Sequence, residues 1–257
     1  MSKLIDISIT LDNETLADPP VMRPSITYTT HAESTGDLIA SFPGMTADQL
    51  PDRMGWAVEQ ITLSTHNGTH IDAPWHYHPT MDGGARAIAI DEVPLEWFMQ
   101  PGVKLDFRHL PDGHVVTPEE IDAELERIGH TLAPLEIVVV NTRAGQRYGH
   151  ADYIHSGCGM GRAATLHLTS KGVRVAGTDG WSWDAPFSHT AKRYTETGDA
   201  SLIWEGHKAG REAGYCQIEK LHNLECLPSD GFTVICFPAK IRAASAGWTR
   251  AVAIVPD

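Results

Sequence analysis

Residues 66–76 read His-Asn-Gly-Thr-His-Ile-Asp-Ala-Pro-Trp-His, and the spacing of imidazoles and carboxylate in this run restricts the backbone more than any other feature of the chain. Imidazole and carboxylate are the side chains that hold a borderline divalent metal at neutral pH. On a helix, His66 and His70 would share a face, but Asp72 would lie about 200° around from His70. An extended chain gathers them instead, because residues two apart project to one side of a strand. His70 and Asp72 then point together, with His76 in the same parity. Gly68 supplies a bend, and Pro74 biases Ala73 toward extended geometry. The reading is a strand ending at His66, a turn, and an extended segment carrying His70, Asp72 and His76.

A lone histidine on a strand is usually a solvated polar residue, but here four of the chain's 14 (His66, His70, His76 and His78) stand close together. Ligands are recognised by such company. Elsewhere, Trp204-Glu205-Gly206-His207 and His222-Asn223-Leu224-Glu225 each offer a carboxylate beside an imidazole. Four tryptophans, Trp56, Trp75, Trp181 and Trp183, are candidate flat walls for a substrate ring, although aromatic residues are more often core. Gly157-Cys158-Gly159-Met160-Gly161 lacks the Lys-Ser/Thr of a phosphate loop, and no G-x-S-x-G elbow is present.

The length of 257 residues suits one large domain, 1–257, because no Pro/Gly/Ser-rich or charged linker interrupts it. A formal net charge of −13 with dispersed Lys and Arg disfavours nucleic acid and anionic membrane as partners. Without a signal region or a long apolar run, the expected location is cytoplasmic. Cys158, Cys216, Cys226 and Cys236 form no CxxC pair, as expected of reduced, mostly buried thiols. Strand-like runs cover Leu4–Leu11, Val58–His66, Val103–Phe107, Leu135–Asn141, Val173–Gly177, Phe232–Phe237 and Ala251–Val255. Thr117-Pro118-Glu119-Glu120 marks a helix start, and Gly129 its end. A second helix is expected from Arg162 to Ser170, and a third from Ser201 to Ala213. The segment from Asp12 to Gly55 shows no clear periodicity and reads as a binding loop or lid. The class is strand-rich α/β.

The run His66-x-Gly68-Thr69-His70-x-Asp72-x-Pro74-x-His76 resembles the signature of the metal-dependent cyclase-like hydrolases, a family that includes kynurenine formamidase, isatin hydrolase and trans-dienelactone hydrolase. Gly177-Thr178-Asp179 with Ser182 and Asp184 is similar to a second conserved stretch of that family. The resemblance implies a swivelling β/β/α fold, a strand-rich barrel-like core with flanking helices, in a homodimer or higher homo-oligomer. It implies His66, His70 and Asp72 as metal ligands and His76 as the catalytic acid/base. His207 and Glu225 would serve a second metal or contact substrate. The stretch from Trp181 to His207 is closest to the isatin hydrolase branch, which implies Mn²⁺ in preference to Zn²⁺ and a small aromatic cyclic amide opened by metal-activated water. Arylformamidase and dienelactone hydrolase are the alternatives. A ligand-binding protein without chemistry is the competing class, and it would have no need of His76.

Overall fold

Val138 and Val140 face one way from their strand while Ile137 and Val139 face the other, and all four are buried. A strand apolar on both faces belongs in the middle of a covered sheet. The structure, a computed structural model, describes residues 2–256. Among the described residues the main sheet has nine strands: β1 (Lys3–Asp6), β2 (His70–Asp72), β3 (Met99–Asp106), β4 (Ile137–Asn141), β5 (Val175–Thr178), β6 (Cys216–Glu219), β7 (Phe232–Ile235), β8 (Ala246–Trp248) and β9 (Val252–Val255). Their order is β1-β9-β7-β3-β4-β5-β6-β2-β8, with β3 to β6 parallel and the remaining pairings antiparallel. The sheet curls into a half-barrel, so the mixed α/β, barrel-like expectation holds.

One face of the sheet carries an apolar cluster built on Ile5, Ile71, Val139, Ile218 and Val234. On the other face Val138, Val140 and Ala176 pack with Ile121 and Leu125 of the helix Pro118–Ile128 and with Ala164 and Leu168 of the helix Arg162–Ser170. The first of these helices starts and stops as its residues dictate. Thr117 and Glu120 exchange backbone-to-side-chain hydrogen bonds at the start, and Gly129 closes the last turn at φ 68°.

Several elements depart from the sequence reading. The strand expected to reach His66 stops at Thr62, and that from Leu4 is confined to Lys3–Asp6. Val58–Thr62 pairs with Ser25–Thr29 as a separate hairpin, so the segment from Asp12 to Gly55 holds a strand and a short helix, Thr35–Ala40. The helix expected over Ser201–Ala213 is broken into three short pieces, the first break falling at Trp204, which sits in the left-handed region at φ 58°. A polar helix, Phe187–Thr197, and strand β6 were not foreseen. No helix among the described residues is long and apolar enough to cross a membrane.

Candidate metal centre

Pairing register builds the site. In the antiparallel ladder between β6 and β2, Gln217 lies opposite Asp72 and Glu219 opposite His70, with Ile218 opposite Ile71 between them. Directly opposed residues share a face. Ile71 and Ile218 therefore enter the apolar core, while His70, Asp72, Gln217 and Glu219 gather on the other side. His70 and Asp72 are fully buried there.

The approach to β2 is a tight loop. Asn67 Oδ1 accepts from the Ser64 amide at 2.6 Å, and Gly68 turns the chain at φ 61°. A side chain at residue 68 would also strike Leu11, whose Cδ2 lies 2.7 Å from the ideal Cβ position. The loop brings His66 Nδ1 to 2.9 Å from Asp72 Oδ1, and Ser245 Oγ contacts the far side of the same ring at 3.0 Å. His70 donates from Nδ1 to the Gly68 carbonyl at 2.9 Å, which leaves the lone pair of Nε2 facing Asp72 Oδ1 at 3.3 Å. Among the described residues neither His70 Nε2 nor Asp72 Oδ1 makes a well-aligned hydrogen bond, although both are buried.

His76 arrives by a different route from the expected one. The extended segment ends at Asp72, and Pro74 opens a single helical turn, Pro74–Tyr77, with Ala73 extended before it. Proline at the first helical position keeps the required φ and has no amide to waste. The turn places His76 Nε2 4.0 Å from Asp72 Oδ2 and sends Trp75 outward, 43% exposed. Asp72 thus joins two donor groups, His66/Asp72/His76 and His70/Asp72/Glu219, each with its ligand atoms within 4.8 Å of one another.

His207 completes the cluster, with Nε2 3.8 Å from Asp72 Oδ2 and 3.5 Å from Glu219 Oε1. Its Nδ1 is bonded to Asp184, which also accepts from the Gly206 and His207 amides. Gln217 Nε2 donates to Asp72 Oδ2 at 3.1 Å, and the Trp183 amide holds Glu219 Oε1 at 2.9 Å. Glu225, by contrast, is exposed in the turn Leu224–Cys226 and belongs to neither donor group. The carboxylate that partners His207 is Glu219. The only sequence signal for it is the alternation Cys216-Gln217-Ile218-Glu219 over four residues.

Burial and charge set the protonation of these groups. Burial opposes the Asp72 charge, but the surrounding imidazoles, His70 first, hold its carboxyl well below the usual range. Glu219 is raised by burial and by the Asp72 charge beside it. Burial would lower His70 and His207, yet neighbouring carboxylates outweigh it and raise both. His76 is pushed down to about 4, by burial first, with Asp72 opposing.

Over this cluster opens a cavity of about 480 Å³ whose walls include His66, His76, Trp181, Phe187, Trp204 and His207. Trp204 stacks on His207 with ring centroids 4.5 Å apart. Of the four expected aromatic walls, Trp181 alone lines the cavity. Trp56 and Trp75 stand 43% exposed outside it. Trp183 is fully buried in the helix-side core, its Nε1 donating to Thr165 Oγ1 at 2.9 Å. In the sequence Trp204 stands out only as a neighbour of His207.

The donor set fits a divalent cation. Two buried donor atoms without a well-aligned hydrogen bond face each other, one imidazole tautomer is fixed by the Gly68 carbonyl, and a third donor, His66 Nδ1, lies alongside.

Residues 5–185 match the Cyclase family model, described as "Putative cyclase". An isatin hydrolase bound to the product analogue thioisatinate superposes with a TM-score of 0.74 at 22% identity, over 100% of this chain and 93% of its own. Isatin hydrolase A from Labrenzia aggregata, bound to benzyl benzoate, gives 0.71 at 25% identity, over 100% and 94%. Isatin hydrolase A from Ralstonia solanacearum gives 0.75 at 22%, over 99% and 92%. The matched residues contain the whole run from His66 to His76, and on that match the chain belongs to the Cyclase family.

Proposed function

We propose that this chain is a metal-dependent hydrolase that opens a small cyclic amide of the isatin type, with His66, His70 and Asp72 holding the cation and His76 moving the proton. The observation that carries the proposal is the buried pair His70 Nε2 and Asp72 Oδ1, without a well-aligned hydrogen bond and facing each other beside His66 and His76, which line an aromatic-walled cavity. A divalent ion, Mn²⁺ in preference to Zn²⁺, would supply Lewis acidity and an acidified water. The chain's own groups supply the rest. Trp181, Phe187 and Trp204 form apolar walls that suit a flat ring. Burial keeps the His76 ring uncharged, so Nε2 is free to accept a proton. As the amide C–N bond breaks, that proton goes to the leaving nitrogen, and the acyl carbon becomes a carboxylate.

A second reading, an arylformamidase with two cations, rests on Asp72 Oδ2, His207 Nε2 and Glu219 Oε1, which lie within 3.8 Å of one another along two edges. Turnover of isatin, N-formylkynurenine and a dienelactone by apoprotein loaded with Mn²⁺ or Zn²⁺, with metal stoichiometry measured on the same samples, separates the readings. Mn²⁺-dependent isatin cleavage at one ion per chain supports the first. Faster formamide cleavage at two ions per chain replaces it with the second, and a chain that binds no ion refutes both.

A further inference from the structure

Lys220 follows Glu219 at the end of β6, and a regular strand would send its side chain to the opposite face, among Ile218 and the core. Its backbone is left-handed instead, at φ 59°, held by bonds from its amide to the Gly180 carbonyl and from Thr69 Oγ1 to its own carbonyl. The break in alternation turns the ammonium toward the metal cavity, whose lining Lys220 shares with Glu219. A strained residue held by its surroundings marks a place where position matters.

The ammonium is buried and bonded to two acceptors, Asp18 Oδ1 and, at 2.9 Å, the carbonyl of His66. Asp18 is buried as deeply and accepts two further bonds, from Trp181 Nε1 at 3.0 Å and Asn67 Nδ2 at 2.9 Å. Asn67 also donates to the Met22 carbonyl at 2.6 Å. One ion pair therefore ties together the peptide of His66, the indole wall Trp181, and the segment around residues 18–22.

We propose that Asp18 and Lys220 are positioning residues of the metal pocket: the pair fixes where the His66 ring stands relative to Asp72 and where Trp181 closes the ring slot. The assignment rests on the proposed metal-dependent reading for its consequence, and on the hydrogen bonds alone for its geometry. Removing one partner would strand a buried charge, so the informative variant is the neutral pair Asp18→Asn/Lys220→Met, of similar volume. Hydrogen exchange on metal-free protein reads the geometry, and calorimetric titration with Mn²⁺ reads the consequence. In the double variant the amides of residues 66–69 should lose protection by about tenfold while β4 keeps its own, and Mn²⁺ should bind about 10–100-fold more weakly. Parent-like exchange at 66–69 overturns the proposal, as does unchanged Mn²⁺ affinity. If the parent chain binds no Mn²⁺, the metal reading fails while the exchange result still decides whether the pair holds the loop. Should the double variant not fold, Asp18→Glu decides, since it keeps both charges and shifts only the carboxylate: loss of protection at 66–69 with β4 unchanged supports the assignment, and parent-like exchange refutes it.

Discussion

Metal removal should be visible in thermal unfolding, and its size follows from two atoms. His70 Nε2 and Asp72 Oδ1 are buried 3.3 Å apart with no well-aligned hydrogen bond. A buried polar atom left unsatisfied costs about 1–3 kcal/mol, a penalty that a bound cation would relieve. At a free metal concentration 100 times Kd, linkage limits the observable gain to about 2.7 kcal/mol. A chain of this size shifts its Tm by about 2–4 °C per kcal/mol, so Mn²⁺ or Zn²⁺ at that excess should raise Tm by about 5–11 °C above the chelated protein. Asp72→Asn keeps the shape and discards the charge that draws the cation, so its melts with and without metal should coincide. Scanning calorimetry at fixed protein concentration, with chelator and metal arms, measures both. Coincident wild-type melts in the two arms would refute the argument that these atoms form a cation site.

His76→Ala should bind metal within about threefold of the parent yet lose about 10²–10⁴ in kcat, read by calorimetric titration and steady-state turnover. Glu219→Gln should lower metal affinity or stoichiometry and perturb His207, while Glu225→Gln should leave both at parental values, because residue 225 is exposed outside the cluster. Trp183→Ala should cost about 3–5 kcal/mol of stability, seen as a lowered Tm, whereas Trp181→Ala should act mainly on KM. Asp179 is pushed up to about 7 by burial, against the bonds from Thr142. An acid raised above its unfolded value of 3.8 binds its proton more tightly when folded, so its contribution falls as pH rises from about 4 to 7. Denaturant melts should therefore show Asp179→Asn gaining stability relative to the parent as pH rises from about 4 to 7.

What could be read from the sequence was what local geometry determines. The i, i+2 spacing of His70 and Asp72 demands an extended chain and is met by β2. Thr117, Pro118, Glu120 and Gly129 define a helix from contacts within a few residues. The reading failed at Pro74 because a proline serves extended and first-turn positions alike, and only the tertiary setting of His76 chose the turn. It failed again at the tryptophans. Trp181 and Trp183 are two residues apart in an irregular turn, where parity says nothing, and one lines the cavity while the other fills the core.

Glu219 shows the deeper limit. Its role depends on the ladder that sets it opposite His70, a pairing between segments about 150 residues apart, and strand β6 is four residues long. Nothing local distinguishes Glu219 from Glu225, which stands beside an imidazole in sequence just as plausibly. The distinction is made by register: a slip of one residue would turn Gln217 and Glu219 into the apolar core and bring Ile218 to the cation. That slip is opposed by Ile71 and Ile218 packing on one face and by the Trp183 amide and Gln217 side chain bonding carboxylates on the other. Sheet stability and site assembly are thus the same interaction seen from two faces, so a substitution in β6 that weakens pairing should disturb metal binding before it unfolds the chain.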